Sequence, residues 1–395
     1  MSGRPVYMDH NATTPVLPEV LEAMLPWFGD EFGNASSTTH VYGKRARQAV
    51  NEARQSVAAL IGARPEEIIF TSGATESDNL AIRGVSCAAT GRDAHIVTTA
   101  IEHEAVLETC QSLREEGCEV TVVPVDRHGL VDPADIERAM TDRTLLVSVM
   151  MANNEIGTIQ PLAEIGELCR QRGVLMHSDA VQAAGRLPMD VDTLKMDLAS
   201  LTAHKMYGPK GVGALYLREG VGLEPILTGS GQEGSLRSGT LNVPGIVGFG
   251  KAAEVALRDM ATEPARQQAL RDRLWSRISS RIDGVVLNGH PTRRLSNTLN
   301  VGFQGIESES LLMLAADAAA LSSGSACASG NARGSYVIRA ISRGPEAESA
   351  SRSAIRFGLG RSNTEHQIDG VVEALARGVE RLRAMAPTVR AVDAV

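Results

Sequence analysis

Between about residues 50 and 250, short runs rich in Val, Ile, Leu and Thr alternate with stretches whose apolar residues recur at helical spacing. The runs at 67–71, 95–99, 119–124, 145–150, 174–178, 198–202 and 213–217 predict strands. Helices are predicted at 43–61, 75–86, 104–116, 133–140 and 162–172. Strands alternating with helices predict an α/β fold whose mostly parallel sheet is covered on both faces. Ligands of such sheets bind beyond the carboxyl ends of the strands, so chemistry is expected just after each run. After about residue 255 the pattern changes to a charged helix (261–282), shorter strands, a Gly/Ser/Ala-rich stretch (322–335), a polar segment (342–353) and a last helix (364–384). This predicts a large domain over residues 16–255 and a smaller α+β domain over 256–395, which the segment 1–15 joins.

Composition narrows the class. Hydrophobic residues at 43% and charged residues at 22% are a soluble globular balance. Aromatics are only 3%, so the core must rest on Ala, Val, Leu and Ile. No apolar run reaches the roughly 18 residues of a membrane span, and no basic-then-apolar leader opens the chain; no membrane partner and a cytoplasmic location are expected. A formal net charge of −8 argues against direct nucleic-acid binding. The cysteines at 87, 110, 118, 169 and 327 form no C-x-x-C pair, against a zinc site and a disulfide framework. The first four lie in or beside predicted helices, where buried, inert thiols are expected.

Three motifs follow strands. In SGATES (72–77), Gly73, Ala74 and Thr75 make a small-residue turn into a helix N-terminus, an arrangement that binds anions; an ordinary strand-to-helix turn is the competing reading. In HSDAVQ (177–182), Asp179 is delivered at a strand end, where a carboxylate could keep a pyridinium protonated; a helix cap competes. Gln182 could reach the phenolic oxygen of the same ring. In AHKMYGPKG (203–211), Lys205 follows Thr202 and His204, both able to donate to a phosphate. The chain has only the lysines 44, 195, 205, 210 and 251, and among these Lys205 stands at a strand's end, the place for a nucleophilic amine. A phosphate anchor, a pyridinium partner and an aldehyde-binding lysine are together what pyridoxal phosphate demands.

With these motifs stand YMDHNATTPV (7–16), IEHEAV (101–106), NNEIG (153–157), RSGT (237–240), SSGSAC (322–327) and IRFGLGR (355–361). Together they resemble the cysteine desulfurases of the NifS/IscS type, within the aspartate-aminotransferase-like fold type I of pyridoxal-phosphate transferases. The resemblance implies that Lys205 links the coenzyme, Asp179 pairs with its ring nitrogen and Gln182 touches its phenolic oxygen. It implies that His103 stacks on the ring and assists proton transfer. Ala74, Thr75, Thr202 and His204 would hold the phosphate, with Thr240 supplied by the second copy of a homodimer. Asn154 and Arg356 would grip the substrate carboxylate, Arg356 through two parallel hydrogen bonds. L-cysteine would become alanine, its sulfur passing to Cys327 as a persulfide.

Cys327 lies among small residues in SSGSACASG, which predicts a mobile loop able to reach both the coenzyme and an acceptor. Gly234–Ser235 and 331–334 depart from the related pattern, at the mouth of the site. The sulfur acceptor is left open: an iron–sulfur scaffold, a route to tRNA thiolation or cofactor synthesis, or one to DNA phosphorothioation. A selenocysteine lyase and a non-catalytic sulfur-delivery scaffold are the rival readings.

Overall fold

The computed structural model describes residues 4–89, 94–323, 334–342 and 344–385. The chain opens with β1 (Val6–Tyr7), α1 (Pro18–Met24) and α2 (Val41–Ile61). The side chain of His40 caps the first turn of α2, and Gly62, at φ +69°, ends it in a left-handed turn. Next come β2 (Ile68–Thr71), α3 (Ala74–Ala88), β3 (His95–Thr99), α4 (Glu104–Glu115), β4 (Glu119–Val123), α5 (Pro133–Ala139) and β5 (Thr144–Ser148). They are followed by α6 (Leu162–Arg172), β6 (Leu175–Asp179), β7 (Leu198–Thr202) and β8 (Gly213–Leu217). The expected strands and helices all form, with ends moved by one or two residues.

These seven strands, β2 to β8, make one sheet in the order β2-β8-β7-β6-β5-β3-β4. It is parallel except for β8, which is antiparallel to both β2 and β7. Because β8 is flanked in this way, β2 points the same way as β7, and the carboxyl ends of β2, β3, β5, β6 and β7 share one edge. Alternate residues serve the two faces, as the strand period of two requires. Ile69, Ile96, Leu146, Leu198 and Leu215 pack with α3 and α4. Phe70, Val97, Val147, Ala199 and Tyr216 pack with α2, α6 and α7 (Val243–Asp259).

The predicted charged helix is α8 (Glu263–Arg281). After it come β9 (Val285–Asn288), β10 (Thr298–Phe303), α9 (Ser308–Ala315), β11 (Ala319–Ala320), α10 (Tyr336–Ile341), α11 (Ala347–Ser353), β12 (Ala354–Gly358) and α12 (Glu365–Met385). The polar segment 342–353 therefore includes a helix, whose buried Ser351 carbonyl receives the N–H of Ser335. A three-stranded antiparallel sheet, β12-β10-β9, packs on α8, α9 and α12 around a separate apolar cluster. Met8 from the start of the chain joins that cluster, and β1 pairs in parallel with β11.

Candidate active site

A cleft of about 580 Å³ opens at the shared carboxyl edge. Its walls include Ala74, Thr75, His103, Asn154, Asp179, Gln182, Thr202, His204, Lys205 and Arg356, so residues from separate stretches of the sequence meet in one cavity. Thr240 is exposed and lies outside it. Cys327 lies outside the described residues, as do positions 331–333 of the departing segment.

Each strand end delivers its side chain for a local reason. Asp179 is the last residue of β6, and its Oδ1 accepts the N–H of Val181 at 2.9 Å. Burial raises its pKa, while His103, that N–H and Lys205 pull the other way. Lys205 closes the 3-10 turn that follows β7. Its Nζ donates to the carbonyls of Asn11 at 2.5 Å and Ala12 at 2.6 Å. Arg186, itself buried, donates to the carbonyls of Gln182 and Lys205, both at 2.9 Å, and so staples the two turns together. His103 caps α4: its Nδ1 accepts the N–H of Ala105 at 3.1 Å, which puts the proton of the neutral ring on Nε2.

Two expected phosphate ligands have other partners within this chain. The Thr202 hydroxyl donates to the carbonyl of Val212 at 3.2 Å. His204 Nδ1 lies 3.1 Å from the Thr13 hydroxyl, and burial, with Lys205 and Lys210 nearby, lowers its pKa to about 4. His204 is thus a neutral group at physiological pH. The anion turn leads through Gly73 into the N-terminus of α3 at Ala74. It is shaped by a close backbone approach, since a Cβ at Gly213 would stand 2.7 Å from the Cα of Gly73.

Arg356 is 2% exposed, pairs with Asp9 at 2.8 Å and donates to the Asn154 carbonyl at 3.2 Å. Asn154 Oδ1 is buried with no hydrogen-bond partner among the described residues.

Residues with no role expected from sequence complete the site. Segment 9–14 crosses the cleft as a strap, touching Arg356, Lys205, Gln182 and His204. The side chain of Asn11 pins it to Thr298 at 2.8 Å and to the Asn154 carbonyl at 3.1 Å. The motif YMDHNATTPV was the available signal, but nothing local said where it would lie. Glu76, in the anion turn, accepts the N–H of Ser72 at 2.8 Å and pairs with Arg237 at 2.7 Å. Glu155 is buried and accepts the hydroxyl of Ser335 at 2.6 Å. In the departing loop, Glu233 (φ +49°) and Ser235 (φ +70°) both adopt left-handed backbone, which costs an L-residue roughly 1–2 kcal/mol. Of the four other cysteines, Cys110 and Cys169 are buried, with pKa pushed to about 12, as expected of inert thiols. Cys87 departs from that expectation and is exposed at the end of α3.

The donor set fits pyridoxal phosphate. An amine and a buried carboxylate face one cavity whose rim holds a helix N-terminus, and a buried guanidinium there suits an amino acid's carboxylate.

The class-V aminotransferase family model matches residues 6–371. The chain is 48% identical over 385 residues to the cysteine desulfurase IscS of Rickettsia rickettsii (strain Iowa), covering 97% of this chain and 93% of that protein. A solved NifS-like protein matches with a TM-score of 0.89 and 37% identity, over 95% of this chain and all 100% of that one. A structure of SspA in complex with cysteine matches with a TM-score of 0.80 and 36% identity, over 90% and 98% of the two chains. With this coverage, and with the family's motifs gathered around one cleft, the chain belongs to the class-V aminotransferases, in their pyridoxal-phosphate-dependent cysteine desulfurase branch.

Proposed function

We propose that this enzyme converts L-cysteine to L-alanine and carries the released sulfur on Cys327, as a persulfide, to an acceptor protein. The observation that carries the reading is the placement of Lys205, Asp179, His103 and Arg356 around one cavity. Bound there, pyridoxal phosphate supplies an aldehyde and an electron-withdrawing ring that weakens the bonds at an amino acid's Cα. Lys205 Nζ would anchor it, Asp179 would hold the proton of its ring nitrogen, Gln182 would serve its phenolic oxygen, and the α3 N-terminus with Thr75 would take its phosphate. Arg356 and Asn154 orient the substrate carboxylate. His103 Nε2 moves a proton inside the cleft. The C–S bond of cysteine breaks and an S–S bond to Cys327 forms. The hydrogen of the Cys327 thiol is the one gained by the methyl group of alanine, so atoms and electrons balance.

The flanks of the Cys327 segment support this role. Ser322 accepts the N–H of Arg356 at 2.8 Å, and Ser335 is tied to Glu155. The structure of SspA with cysteine supports L-cysteine as the substrate. The exposure of Thr240 suits a homodimer in which each copy completes its neighbour's phosphate site. The apolar cluster that Met8 shares with α8, α9 and α12 supports a small domain of residues 1–15 and 256–395. No helix among the described residues is long and apolar enough to cross a membrane.

Incubation with L-cysteine and a thiol reductant should yield alanine and sulfide, and Lys205→Ala should lower alanine production by roughly 10³-fold or more. Cys327→Ala should abolish cysteine turnover while leaving coenzyme absorbance intact. Undiminished turnover on selenocysteine with little on cysteine would move the assignment to a lyase. No alanine from the coenzyme-loaded protein would end it.

A further inference from the structure

Three carboxyl side chains are buried together behind the inner wall of the cleft. Asp78 on α3, Asp179 at the end of β6 and Glu102 between β3 and α4 are 1%, 6% and 0% exposed. Their partners differ. Asp179 has the Val181 N–H, with Lys205 and His103 nearby. Glu102 accepts the N–H of Met150 at 3.0 and 2.9 Å and the hydroxyl of Thr99 at 2.5 Å. Asp78 lines the cleft, yet neither of its oxygens has a hydrogen-bond partner among the described residues.

His177 stands 3.6 Å from Asp78 Oδ1. Its ring, however, is held by Ser148 at 2.8 Å and Ser200 at 3.1 Å, and burial lowers its pKa to about 3. It is neutral and gives Asp78 no counter-charge. The Ser200 hydroxyl also meets that ring, and it pulls the other way, favouring a charged Asp78, but it is a single neutral donor. A carboxylate shut away from water, with no cation and only a neutral hydroxyl nearby, is costly, and it keeps its proton instead. Burial, then the charge of Asp179, drive the pKa of Asp78 upward, with Glu102 adding to the push. When two carboxyls repel, the proton goes to the one with the poorer partners.

We propose that Asp78 is a positioning residue of the coenzyme site, a carboxyl group that keeps its proton and leaves the negative charge of the inner wall on Asp179. The proposal rests on Asp179 as the partner of the ring nitrogen. A second anion at Asp78 would share the ring's proton and blur where it sits. A neutral acid there supplies polarity without competing.

Infrared spectroscopy of the coenzyme-loaded enzyme reads this directly, through the C=O stretch of protonated carboxylic acids. Two such bands are expected at neutral pH. Glu102→Gln removes one and Asp78→Asn the other. Raising the pH through about 8 should bleach the Glu102 band and leave that of Asp78. Coenzyme affinity supplies a second readout. Asp78→Asn, a neutral isostere, should hold the coenzyme within about twofold, while Asp78→Leu, which removes the polar group, should weaken it about tenfold. A spectrum in which Asp78→Asn removes no acid band at neutral pH would overturn the proposal. So would an Asn variant that loses the coenzyme as badly as the Leu variant, because that behaviour requires an anion. Asp179→Asn must weaken coenzyme binding as well; if it does not, the ring-nitrogen pairing fails, and the band still decides the state of Asp78.

Discussion

Along the contact of α8 with α12, arginines and carboxylates meet in water. Arg273 pairs with Asp369 at 2.7 Å, Arg277 with Asp369 at 3.3 Å and Arg281 with Glu380 at 3.0 Å. Behind the cleft, Asp78, Glu102 and Asp179 meet no arginine and almost no water. The side chains are of the same kind, and the outcome is opposite. On the helices every group stays charged, and screening makes each pair worth little. Under the cleft, desolvation pushes all three pKa values upward, and Asp78 and Glu102 keep their protons instead of pairing, while Asp179 has an N–H and a lysine to oppose the push. Charge alone therefore says little about what an acidic residue does here; its access to water and to N–H donors decides.

The comparison can be pressed hardest at Glu102. Burial raises its pKa to about 8, against a usual 4.5. Between those values the folded state holds a proton that the unfolded chain has lost, so the group's stabilising contribution is full below about pH 4.5 and fades as pH rises toward 8. Glu102→Gln removes that slope. Urea unfolding at stepped pH should show the variant gaining on wild type by on the order of 1 kcal/mol per pH unit across this window, and no further outside it. A constant difference would mean that Glu102 is ionised throughout.

Glu233 is the intermediate case, a buried carboxylate that does have partners. Arg54 reaches it at 2.6 and 2.8 Å and the Phe70 N–H at 2.7 Å. Glu233→Ala should cost about 3 kcal/mol in chemical denaturation, since it strands a mostly buried guanidinium. A loss below about 1 kcal/mol would place this pair with the surface ones.

Gly213→Ala tests the anion turn without touching any charge. The new methyl would drive into the Gly73 backbone, and coenzyme affinity, titrated by absorbance, should fall about tenfold. Unchanged affinity would mean that the turn gives way freely.

The smallest effect belongs to the helices. Arg281→Ala, at a side chain 42% exposed, should change unfolding free energy by less than about 0.5 kcal/mol, and by less again in high salt.

Much of this was legible in the chain. The strand and helix runs are stiff, local patterns, and a motif at a strand's end is carried to the sheet edge whatever else the protein does. Lys205, Asp179 and Thr75 could be placed on that logic. The strap 9–14 could not, because its position depends on hydrogen bonds to residues 140 to 350 positions away. Arg186 and Glu155 escaped notice for a similar reason. Each is an ordinary charged residue in an ordinary context until folding buries it.

Sequence by itself determined the alternation that builds the sheet, the edge on which the motifs gather and the residue types able to hold the coenzyme. Those follow from short-range periodicity and from side-chain chemistry, which need no partner. Only tertiary structure decided which charges survive, since ionisation depends on what distant segments leave within a few ångströms. Asp78 and Asp179 are the same residue in the chain. Once folded, one has an N–H and a lysine close by, and the other has a neutral ring.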